Sequence, residues 1–128
     1  VRGSDEDFRN IFGADSVEQA YEAVRQYCPI LVYTASNRFV AIQSSTITAK
    51  FEVPEITTIS TIGAGDNFNA GIIYGLFKHN VKKADLDKLT FDDWKKILER
   101  AISFAANVCQ SYDNYISLEF ANRVRSEM

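Results

Sequence analysis

The chain has 128 residues, of which 46% are apolar and 24% charged, with a formal net charge of −3. That length suits one domain with a genuine core, and the apolar fraction, with only 6 Gly and 2 Pro, excludes a disordered, collagen-like or low-complexity chain. The negative charge argues against nucleic acid or an anionic membrane surface as partner, because both need a basic face.

Ser4-Asp5-Glu6-Asp7 puts hydrogen-bond acceptors and acidic side chains ahead of Phe8, Ile11 and Phe12, which predicts a helix ending at Gly13. Asp15 or Ser16 caps a second helix carrying Val17, Ala20, Tyr21 and Val24 at helical spacing. After Pro29, Ile30–Tyr33 reads as a short buried strand, Ser36-Asn37-Arg38 as a polar turn, and Phe39–Ile42 as the next strand. Ile47–Val53 alternates like a half-exposed strand and stops at Pro54. A loop over 59–65 leads into an apolar helix reaching about Lys78, whose Phe68, Ile72, Ile73, Leu76 and Phe77 form a core face. Residues 82–90 read as a solvated connection. Thr90 caps a helix over 91–111 with Trp94, Ile97, Leu98, Ile102 and Ala105 inward, and a last helix covers 116–124.

No apolar run approaches the roughly 20 residues of a membrane span, and the N-terminus lacks the layout of a signal peptide. Cys28 and Cys109 match neither a disulfide framework nor a metal knuckle, so a reduced, cytoplasmic chain is expected. His79, the single histidine, reads as a solvated helix end, and Asp85, Asp87, Asp92 and Asp93 as a solvated helix-start face lacking the spacing of a calcium loop. The strands are few for helices with such wide apolar faces. With Val1 in place of an initiator Met, the expectation is an α/β chain that is the C-terminal piece of a larger sheet protein.

Chemistry concentrates in Thr61-Ile62-Gly63-Ala64-Gly65-Asp66-Asn67-Phe68-Asn69-Ala70-Gly71. Gly63 and Gly65 can turn successive N–H groups toward one point, and the following helix adds its unsatisfied amides and positive dipole end there. Such an anion hole suits a phosphoryl group in flight. Asp66 stands at its mouth, where a carboxylate can accept a proton from a hydroxyl. The plainer alternative is a tight turn with Asp66 as helix cap.

Thr61, Gly63, Ala64, Gly65, Asp66, Phe68, Ala70 and Gly71 together resemble the second signature of the PfkB/ribokinase-like carbohydrate kinases. The resemblance implies the C-terminal, nucleotide-binding part of a ribokinase-like three-layer α/β/α sandwich, with ATP and Mg²⁺ as cofactors and a sugar or sugar-like molecule as substrate. It implies Asp66 as base and Gly63, Ala64 and Gly65 as anion hole. It further implies Thr34 and Ser36 near the nucleotide phosphates, Asn107 toward the adenine, and Asp7 acting on Mg²⁺ through water, where Ser4-x-x-Asp7 replaces the family's Asn-x-x-Glu. Ser60 replaces the Asp that in relatives helps hold a monovalent cation, which leaves that cation open. Ser36 and Phe39 stand where the nucleotide loop usually has glycines, and Ser111-Tyr112-Asp113-Asn114 where a glycine-containing loop is usual. The implied partners are the sugar and the missing N-terminal half, or a second copy in a homodimer, since a truncated sheet exposes an edge. The competing reading is a degenerate, non-catalytic nucleotide-binding or interaction module of the same fold.

Overall fold

Leu31, Tyr33 and Ala35 alternate along one strand and turn to the same side, where two short helices bury them. The computed structural model describes residues 1–36 and 38–127; Asn37, within the expected turn, and Met128 lie outside the described residues. The chain divides into two compact units, Val1–Pro54 and Glu55–Met128.

The first unit runs β1 (Arg2–Ser4), α1 (Asp5–Phe12), α2 (Val17–Val24), β2 (Leu31–Ala35), β3 (Phe39–Gln43) and β4 (Thr48–Glu52). The strands lie in the order β1-β2-β3-β4, with β1 parallel to β2 and the remaining pairs antiparallel. Ser16 caps α2 by accepting from Gln19 N–H, and the Tyr21 hydroxyl donates to Pro29 O, which fastens α2 to the turn entering β2. Phe8, Val17, Ala20, Tyr21 and Val24 form a core with Leu31, Tyr33, Ala35 and Ala41. Val32, Val40 and Ile42, on the other face, are buried as well. Removing Leu31 or Ile42 from water contributes on the order of 1.5–3 kcal/mol each.

Two differences from the sequence expectation stand out. Strand β1 has no period-two signal, because Arg2-Gly3-Ser4 is short and poor in strand formers; pairing of Arg2 with Val32 and Ser4 with Thr34 creates it. Strand β2 extends past Tyr33 because Thr34 and Ala35 still pair with Val40 and Phe39, so Thr34 lies inside the strand.

The second unit holds α3 (Ala64–Lys78), a 3₁₀ turn over Lys83–Lys88, α4 (Phe91–Cys109) and α5 (Leu118–Ser126). The 3₁₀ turn replaces the expected plain connection, since the Asp85 carboxylate accepts from Lys82 N–H and starts a turn. Thr90 and Asp93 cap α4 reciprocally. Asp85 and Asp93 thus do helix-start work, and no group of three or more potential metal ligands occurs among the described residues. Phe104 meets Phe120 edge to face at 5.4 Å and Tyr74 at 5.7 Å, while the Tyr74 hydroxyl donates to Val124 O; these contacts hold α5. Cys28 and Cys109 are free thiols. Among the described residues no helix is long and apolar enough to cross a membrane.

Helices α3 and α4 run antiparallel with almost no gap. A Cβ placed on Gly71 would lie 2.5 Å from Ala101 Cα, whereas one on Gly75 would lie 3.2 Å from an Ile97 methyl. Gly71→Ala therefore destabilises the chain by about 1–3 kcal/mol despite the better helix propensity of Ala. Gly75→Ala costs less, because its nearest contacts, an Ile97 methyl at 3.2 Å and Ile97 Cα at 3.3 Å, have to give by only a few tenths of an ångström. Urea midpoints of the two variants check this; a stabilised Gly71→Ala would remove the close approach.

Candidate functional site

The loop that enters α3 is held at three points. Ile59 and Ser60 N–H both donate to Cys109 O, the last carbonyl of α4, at 2.8 and 3.2 Å. Ser60 Oγ accepts from Ile62 N–H at 3.2 Å. Gly63 then adopts φ 82° and ψ 0°, a left-handed conformation suited to glycine, and a Cβ there would lie 2.9 Å from Asn114 Cβ. Backbone conformation and space therefore both demand the glycine.

Gly63 is the residue that opens α3, and no side chain caps that helix start. Asp66 lies three residues further on, exposed, its carboxylate without a hydrogen bond or ion pair among the described residues. The reading of Asp66 as a helix cap is thereby excluded. Its position in the first turn suits the positive end of the helix dipole. The N–H groups of Gly63 and Asp66 likewise have no protein partner among the described residues, whereas Ala64 N–H donates to Thr61 O at 3.2 Å and Gly65 is engaged as well. The turn brings Gly63, Ala64, Gly65 and Asp66 together, with part of its donor set already in use.

A contact invisible in sequence closes this site. Asn67 Nδ2 donates to Gly63 O at 2.9 Å and to Asn114 O at 2.8 Å, 47 positions away. The residues between α4 and α5 are thus tied to the α3 turn. Asn107 ties the far end of the same segment, its Oδ1 accepting from Ser117 N–H at 2.9 Å. The oxygen of Asn107 therefore orders a loop, and only its amide nitrogen is left to address a ligand. The hydrogen bond from Asn67 to its own preceding turn could have been read locally; its bond to Asn114 had no signal.

The remaining candidates belong to the first unit and cluster at the carboxyl ends of the parallel pair β1–β2, the end where open α/β sheets bind ligands. Thr34 faces Ser4 across that pair, and its hydroxyl donates to Gly3 O at 3.3 Å. Ser36 follows with φ 53°, a left-handed value unusual for serine and readily adopted by glycine. Asp7 and Ser4 form a reciprocal cap on α1: Ser4 N–H donates to Asp7 Oδ2 at 3.0 Å and Asp7 N–H to Ser4 Oγ at 3.1 Å. These bonds, the backbone one foremost, hold the Asp7 carboxyl below the usual carboxylate range. Arg38 reaches Asp5 at 3.1 Å and braces the same corner.

A cleft of about 380 Å³ lies elsewhere, toward the far end of α3, lined by Lys78, His79, Lys96, Glu99 and Arg100 among others. Arg100 is ion-paired with Glu127 there, and Glu99 offsets a further positive charge, which leaves a single positive charge in excess on this open lining.

The sequence pattern described as pfkB family carbohydrate kinase matches residues 1–121. Curated protein sequences supply no match. Among solved structures the chain is similar to aminoimidazole riboside kinase from Salmonella enterica, solved with aminoimidazole riboside and an ATP analogue, at TM-score 0.79 and 17% identity over 98% of this chain and 40% of that one. It is similar to the ATP-bound fructokinase of Xylella fastidiosa at TM-score 0.79 and 18% identity, over 99% and 42%. A fructokinase double mutant from Vibrio cholerae O395, solved with fructose, ADP and potassium ion, gives TM-score 0.74 and 20% identity over 89% and 35%. The chain thus spans about two-fifths of the length of these neighbours, and at such identities the likeness is one of fold.

Because the folded Asp7 pKa is depressed, this carboxylate stabilises the fold above its unfolded pKa, near 4, and the contribution is lost as pH falls through the folded value. Urea midpoints between pH 6 and pH 2.5 should fall less steeply for Asp7→Asn than for the parent chain, since the variant titrates no group at this cap. Identical slopes would show that Asp7 has the same pKa folded and unfolded.

Proposed function

Because the chain belongs to the pfkB family of carbohydrate kinases, we propose that it carries the base and the anion-binding turn of an enzyme that moves the γ-phosphoryl group of ATP to a hydroxyl of a sugar or sugar-like substrate. Its architecture is a portion of the ribokinase-like α/β fold. The observation that carries the reading is Asp66: an uncommitted carboxylate in the first turn of α3, beside a glycine turn that tolerates no side chain.

In this reading Asp66 accepts the proton of the attacking hydroxyl. The amides of Gly63, Ala64 and Gly65 stabilise the charge that builds on the transferred group, with Ala64 N–H leaving its long bond to Thr61 O and Gly65 exchanging its present contact for the ligand. Thr34 and Ser36 address the nucleotide phosphates and the Asn107 amide nitrogen the base. Mg²⁺ is commonly held by one or two carboxylates together with phosphates and waters, so a single Asp7 carboxylate, with Oδ1 left over from its cap, fits contact through water. The metal supplies neutralisation of phosphate charge. Ser60 offers a neutral hydroxyl that already accepts from Ile62 N–H, and no monovalent cation is assigned to it. The sugar pocket is assigned to chain outside these 128 residues, in keeping with the two-fifths coverage of the neighbours.

A second reading has specific support. The Asp7 carboxylate, the Thr34 hydroxyl and the Asn107 carbonyl each already serve the fold. That pattern also suits a non-catalytic module that binds a nucleotide without turning it over.

The longest native form of the polypeptide, assayed with ATP, Mg²⁺ and a panel of sugars, separates the two. The kinase reading expects sugar-dependent ADP release, and Asp66→Asn should lower kcat by about 10²–10⁴-fold with little change in ATP affinity. ATP binding without turnover on any sugar supports the module, and a fully active Asp66→Asn would falsify the assignment of the base.

A further inference from the structure

We propose that Asn67 is a positioning residue, a clamp that presets the segment between α4 and α5 as a wall of the nucleotide site; the ligand rests on the reading above, the clamp on geometry alone. One side-chain amide donates to two carbonyls, Gly63 O on the α3 turn and Asn114 O on the segment. Both of its N–H bonds are satisfied by this bridge, so a carboxylate or an apolar side chain at position 67 cannot reproduce it. The absent Cβ of Gly63 lets Asn114 close onto the turn, its Cβ sitting 2.9 Å from where a side chain would begin. Asn107 fixes the other end at Ser117. The residues thus fastened at both ends carry Ser111, Tyr112, Asp113 and Tyr115, and Tyr112 and Tyr115 are exposed at 86% and 62%. Between these two ties the stretch has, among the described residues, only the Ser111–Asp113 hydrogen bonds and the packing of Ile116 near Phe104 and Phe120, so the Asn67 bridge carries a large share of its order.

A segment ordered before the ligand arrives spares binding the loss of its freedom. The clamp therefore acts on nucleotide affinity by preorganisation, without touching the reacting atoms.

The test compares hydrogen exchange of the hydrogen-bonded amides 111, 113 and 117 and ATP affinity, in the presence of Mg²⁺, for the longest native form of the polypeptide, Asn67→Leu and the control Asn69→Leu. Asn69 is exposed on the same helix, and leucine matches asparagine in shape without its donor. In Asn67→Leu the segment should exchange about tenfold faster while α4 and α5 keep their protection, and ATP affinity should fall about tenfold. Saturating ATP should return the segment to parent protection, which damaged packing would not allow. Asn69→Leu should behave as the parent. Unchanged exchange in Asn67→Leu overturns the clamp, and a loosened segment with undiminished ATP affinity overturns its role in positioning. If the parent chain itself binds no ATP, the nucleotide role is overturned along with the kinase reading, while the exchange rates still uphold or overturn the clamp. Asn67→Ala serves the same comparison should the leucine variant fail to fold.

Discussion

The antiparallel contact of α3 and α4 at Gly71 and Ala101 governs the second unit. With only hydrogen at Gly71, the two backbones approach until a Cβ would stand 2.5 Å from Ala101 Cα. Because the helices run in opposite directions, this places the start of α3 beside the end of α4, where the last carbonyl of α4 lacks an intrahelical partner. Cys109 O meets that need by accepting from Ile59 and Ser60, and the loop carrying the glycine turn is anchored in the process. The same proximity brings the segment leaving α4 within reach of Asn67. One close packing thus assembles three backbone segments about the turn at Gly63 that leads into Asp66.

The first unit obeys a comparable economy. Pairing β1 in parallel with β2 sets Ser4 opposite Thr34, so the cap that starts α1 and the hydroxyl at the end of β2 share one corner. Burial of Leu31, Tyr33 and Ala35 under α1 and α2 holds that corner rigid. The arrangement also explains why several candidate site residues double as fold residues. Asp7 starts a helix, Thr34 satisfies a backbone carbonyl, and Asn107 orders a loop. Asp66 makes no such bond among the described residues, and its exposed carboxylate at the helix start is the feature on which the proposed base rests.

The sequence by itself determined most elements and the turn at Gly63. Apolar spacing marked α2 and α4 and the extent of α3, and Ser and Thr caps marked α1, α2 and α4, because these signals act within a few residues; the core face expected for α3 fails at Ile73 and Phe77, which are 66% and 75% exposed, because the helix packs through Phe68, Gly71 and Gly75. The family resemblance, carried by residues 61–71, likewise needed only contiguous chain. Strand β1 was illegible because three residues hold no periodicity, and the 3₁₀ turn because one Asp85 cap decides it. Tertiary structure alone decided that Ile59 and Ser60 anchor on Cys109 O and that Asn67 reaches Asn114. The physical reason is common to all of these. A side chain's type shows what bonds it can make, but which partner it meets depends on packing between elements far apart in sequence, and here that packing is set by a missing Cβ at Gly71 and another at Gly63.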